Sequence, residues 1–95
     1  MWHAQTYIQL ASEGKESKAE ERASKEAALT GRRVCVYASK SAFGIVLGPF
    51  PKSEAPTLLM QFKQEQLVPA DAIVALVDDR QLKRCFAPPS AAPPQ

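Results

Sequence analysis

A chain of 95 residues suits one small domain, and 45% apolar with 23% charged residues excludes wholesale disorder. Twelve Lys and Arg against ten Asp and Glu leave a net charge of only +2, too small to point to nucleic acid or a membrane surface. Cys35 and Cys85 stand too far apart for a zinc framework or a CxxC redox pair, and the lone histidine, His3, supports neither a triad nor a metal site, so no cofactor is expected.

Residues 1–5 read as a tail: Met1-Trp2-His3-Ala4-Gln5 has no basic n-region or apolar h-region, so no signal peptide is expected. Thr6 to Ala11 alternates Tyr7 and Gln9 with Ile8 and Leu10, the period of a strand with one apolar face. Gly14 marks a turn. Glu16 to Thr30 lacks Pro and Gly, is rich in Ala, Glu and Lys, and predicts a helix with Ala19, Ala23 and Ala27 inward and Gly31 ending it. Val34-Cys35-Val36-Tyr37 predicts the next strand and Ser39-Lys40-Ser41 a hairpin connection. Phe43 to Leu47 follows as a strand stopped by Gly48-Pro49.

A second helix is expected after Pro51, with Ser53 as N-cap, Pro56 in the first turn, and Ala55, Leu58, Leu59 and Phe62 inward. Val68-Pro69 breaks it, and Ala72 to Val77 is the last strand expected. Residues 78–86 read as a C-terminal extension, a short helical turn packing Leu82 and Phe86 on the domain. Residues 87–95 are a Pro/Ala-rich linker or tail without charge. No stretch approaches the roughly 20 apolar residues that span a bilayer. The chain is then either cytosolic or a domain of a longer exported protein, and the linker-like end favours the second.

The order β-α-β-β-α-β predicts an α+β fold, a ferredoxin-like (RNP-like) sandwich with a four-stranded antiparallel sheet and two helices on one face. The other face is expected to be uncovered. With Ile8, Leu10, Val34, Val36, Ile45 and Leu47 turned to the helices, alternation puts Tyr7, Gln9, Ala11, Cys35, Tyr37, Ser39, Gly44 and Val46 on it.

Particular segments resemble a known family. Tyr7-Ile8-Gln9-Leu10-Ala11-Ser12 is similar to the opening "YVQLGSF" strand of the SPOR (sporulation-related repeat) family. Phe43 to Phe50 resembles its "YRVRVGPF" strand, Ser53-Glu54-Ala55 the start of its second helix, and Asp71 to Val74 its final strand. The resemblance covers residues 6–77. It implies a non-catalytic module of the bacterial periplasm or cell envelope that binds peptidoglycan glycan strands lacking stem peptides and targets a larger protein to the cell wall or division site. Ala11 and Glu13 stand where the family has glycine and phenylalanine, and Gly44 and Val46 where it commonly has arginines, the best readers of carboxylates.

The ligand-binding candidates are Tyr7, Gln9, Ser12, Tyr37, Ser39, Gly44 and Val46. The Gln9 amide can donate to and accept from sugar hydroxyls and acetamido groups, although it equally suits an exposed strand position. Tyr7 and Tyr37 offer a ring face and a hydroxyl to a sugar, or ordinary cross-strand packing. Gly44 leaves a trough for a close-approaching ligand, or marks a bulge. Val46 and Cys35 make the face more apolar than a glycan groove, which suits a protein partner or an intramolecular cover by residues 82–86. Lys15, Lys40 and the Arg32-Arg33 pair supply charge near the sheet edge or are simply solvated. Cys35 and Cys85 either form a disulfide in an oxidising compartment or remain free thiols.

Asp78-Asp79 and Glu20-Glu21 have no partner for acid–base work, and no enzyme is expected. The alternative function is a SPOR-like fold used for protein–protein contact or regulation without glycan binding. An RNA-recognition motif shares the element order but requires a basic-Gly-aromatic strand that is absent here.

Overall fold

The computed structural model describes residues 4–88; residues 1–3 and 89–95, which hold His3 and most of the expected tail and linker, lie outside the described residues. The fold is α+β, with two helices and one antiparallel sheet. Its elements are β1 (Ala4–Glu13), α1 (Glu16–Thr30), β2 (Val34–Ala38), β3 (Phe43–Phe50), α2 (Ala55–Gln64), β4 (Ile73–Asp78) and β5 (Leu82–Phe86). A 3₁₀ turn, Asp79–Gln81, links β4 to β5. The sheet has five strands, not the four expected, in the order β4-β1-β3-β2-β5.

α1 occupies the span its composition predicts. Ala19, Ala23 and Ala27 are its buried residues, and these small side chains let it lie close to the sheet. Gly31 closes it in the left-handed region (φ 68°), its N–H donating to the Ala27 carbonyl at 3.0 Å. α2 starts one residue later than Ser53 would set it. Glu54 is its N-cap residue, without a side-chain cap, and Pro56 sits in the first turn where no N–H is needed. Both helices contribute to one core with Ile8, Leu10, Val34, Val36, Ile45 and Leu47, the expected inward residues of β1–β3.

Gly48-Pro49 does not stop β3, which runs on to Phe50. On the β2 side the Gly48 N–H donates to the Arg33 carbonyl (3.2 Å), and Pro49, which has no N–H, falls where the β1–β3 register shifts. On the other side the ladder resumes at Thr6 and Phe50 after a shift in register. Gly48, at φ 133°, takes a backbone conformation that side-chain-bearing residues rarely adopt.

The C-terminal extension is the largest correction to the expected fold. Residues 82–86 are a strand rather than a helical turn, paired antiparallel with β2. Arg84 ties β5 to α1 through Glu20 (3.4 Å) and lies 5.0 Å from the centre of the Phe86 ring. Cys35 and Cys85 are register partners across β2 and β5 and are joined in a disulfide.

β4 and β5 form opposite edges of the sheet, yet only three residues separate them. Four interstrand gaps of a flat sheet would hold the edges about 19 Å apart. The chain from Asp78 to Leu82 reaches at most about 14 Å. The sheet is therefore coiled, so that diagonal corners approach across the face opposite the helices. The crossing turn is pinned at both ends. Gln5 Nε2 donates to Asp79 Oδ1 (3.0 Å), and Gln81 Nε2 donates to the Ala38 carbonyl (3.3 Å). Asp78 and Gln81 close a capping box within the turn.

Candidate functional site

The face expected to be uncovered holds a second, smaller core. Tyr7, Cys35, Val46 and Val77 are fully buried in it, and Tyr37, Ala75, Leu82 and Cys85 pack against them. Alternation places Tyr7, Gln9, Cys35, Tyr37, Gly44 and Val46 on this face correctly, but the coiled sheet and the β4–β5 crossing take most of them out of reach. Ala11, turned by the register shift after Gln9, packs instead on the helix-side core. Tyr7 and Val46 are thus core residues, not an accessible ring face and an exposed valine. Among the described residues the buried Tyr7 hydroxyl has no hydrogen-bond partner.

Gly44 offers no trough either. It pairs with Tyr37 across β2 and β3, and the Tyr37 ring covers it. A Cβ built on Gly44 would stand 2.6 Å from Tyr37 Cζ, so only glycine allows this ring position. The ring laid over Gly44 aims its hydroxyl at Gln9, donating to Oε1 at 2.8 Å. Gln9 is half-buried on β1, between Val46 of β3 and Ile73 of β4. With its carbonyl taken by Tyr37, the side-chain amide retains its N–H donors for a ligand.

Gln9 lines a shallow depression of about 200 Å³ with Leu10, Ala11, Ser12, Asp71 and Ile73. It joins an amide donor, a hydroxyl and a carboxylate to apolar side chains, a set able to hydrogen-bond the hydroxyl and amide groups of a ligand. Asp71 and Ile73 were not among the sequence candidates. The signal for them lay in the β1–β4 pairing, which sets Ile73 opposite Gln9. Ser12 is exposed in the depression, whereas Ser39 is elsewhere and closes the β2–β3 hairpin, its Oγ donating to the Ala42 carbonyl at 2.9 Å.

The expected basic cluster is not assembled. Arg32 and Arg33 precede β2, while Lys40 follows it at the other end of the strand. Arg33 is engaged with the Gly48 carbonyl (3.1 Å) and Cys85 Sγ (3.0 Å), and the Arg32 guanidinium lies 5.0 Å from the centre of the Phe62 ring. Among the described residues no group of three or more His, Cys, Asp or Glu side chains is placed to hold a metal ion, and no helix is long and apolar enough to cross a membrane. In comparisons with known proteins, no family model, no curated protein and no solved structure matches the chain.

Proposed function

We propose that the chain is a SPOR-like, non-catalytic module that binds peptidoglycan glycan strands lacking stem peptides and targets a larger envelope protein to the cell wall or division site. In this reading strands β1–β4 and the two helices are the ferredoxin-like unit, and β5 is an added edge. The observation that carries it is Gln9, which lines the depression and whose Oε1 is held by the Tyr37 hydroxyl, so that the amide N–H groups are the donors it can offer. Gln9 and Ser12 lie in the strand that resembles the family's opening motif. A Cys35–Cys85 disulfide suits an oxidising compartment such as the periplasm.

Burial of Tyr7 and Val46 takes both out of a glycan site, and the exposed apolar Ile73, Val74 and Leu76 favour a second reading, the same fold used for protein–protein contact without glycan binding. Co-sedimentation with purified sacculi, intact and amidase-digested, separates the two. Glycan binding predicts stronger pelleting with digested sacculi and a loss of about five- to tenfold in affinity for Gln9→Ala, the worth of one or two hydrogen bonds. No pelleting with either preparation would leave the protein-contact reading.

A further inference from the structure

The two edges of the sheet are built in opposite ways. β5 carries Lys83 and Arg84, departs from regular register with β2, and is fastened by the Cys35–Cys85 disulfide, all features that discourage another strand from joining. β4 lacks the register shift and the crosslink, and its one charge, Asp78, is its last residue. Residues 72–77 include no charge and no proline, and the pairing of β4 with β1 runs without a register shift. Ile73, Val74 and Leu76 stay exposed, Leu76 at 64%. β4 thus leaves apolar side chains exposed on both of its faces while, among the described residues, it pairs with β1 alone, which makes its outer edge an unprotected template for another strand.

We propose that β4 pairs antiparallel with β4 of a second copy about a two-fold axis, joining two sheets into one ten-stranded sheet. A two-fold perpendicular to the sheet keeps the helix-bearing faces on the same side and requires paired residues of like parity. The register centred on Ala75 sets this small side chain against its own copy. It also sets Val74 opposite Leu76, and Ile73 opposite Val77. No charge meets a like charge over this run, and each exposed apolar side chain gains an apolar neighbour, which makes the strand complementary to itself. One strand edge buries less than the roughly 1,000 Å² of a tight dimer, so the association is concentration-dependent rather than obligate.

Sedimentation velocity of the full oxidised chain between about 10 µM and 1 mM tests this. The expected result is a reversible monomer–dimer equilibrium within that range. Leu76→Lys and Val74→Glu each weaken it at least tenfold, and an equimolar mixture of the two variants regains association, because Lys and Glu then face each other across the axis. Hydrogen exchange on the unaltered chain is expected to show β4 amides gaining protection as concentration rises. A monomer throughout the range, a dimer indifferent to Leu76→Lys, or protection gained away from β4 would overturn the proposal. Failure of the mixed variants to associate would overturn the register.

Discussion

Leu47 and Val46 are neighbours on β3, both excluded from solvent, and they belong to different cores. Leu47 faces a core of twelve buried residues drawn from both helices and three strands. Val46 is one of four buried residues, under a sheet whose corners are drawn together by three residues of turn and whose last strand is fastened to β2 by a disulfide. The first core rests on buried area spread over many contacts. The second rests on long-range ties made by the last strand, so its stability depends on a few links rather than on bulk.

The comparison is broken most forcefully at the disulfide. Cys35→Ala with Cys85→Ala removes a link spanning 50 positions, and the chain-entropy model puts the loss near ~4 kcal/mol. Urea unfolding measures it; a loss below about 1 kcal/mol would mean that the smaller core closes without the crosslink. The paired variants Leu47→Ala and Val46→Ala then ask whether both faces are truly packed. Leu47→Ala is expected to cost about 3 kcal/mol and Val46→Ala about 2 kcal/mol, from the methyl groups removed and the cavities left. A Val46→Ala cost under about 0.5 kcal/mol would make its face an ordinary surface. The smallest effect has the opposite sign. Tyr7→Phe deletes a buried hydroxyl that has no partner and should stabilise by about 1 kcal/mol in the same assay. A loss of that size instead would reveal a buried water or other partner on the hydroxyl.

Of the candidate site, Gln9 and Ser12 were legible because strand alternation and the family-like motif both point to them. Tyr7, Gly44 and Val46 were placed on the right face and misjudged in exposure, because alternation gives the direction of a side chain and not what lies above it. Val46 opposite the helices was the available warning. An apolar residue on an uncovered face asks for a cover, the alternative raised for residues 82–86, and Leu82 on β5 is part of it. Asp71 and Ile73 were missed because they enter the depression only through pairing with a strand more than sixty positions away.

The sequence by itself determined the local elements. The Ala stripe and Gly31 set α1, and β-branched alternation set β2 and β3, since propensity, periodicity and capping act within a few residues. It also determined which side chains of β1–β3 face the helices, except Ala11, which a register shift turns to that side. Only the tertiary structure decided that Leu82–Phe86 is a strand, that Cys85 lies opposite Cys35, and that the second face is closed. Those outcomes depend on sheet coiling and on the meeting of corners far apart in the chain. No local pattern encodes that geometry, because it is the sum of small twists over five paired strands.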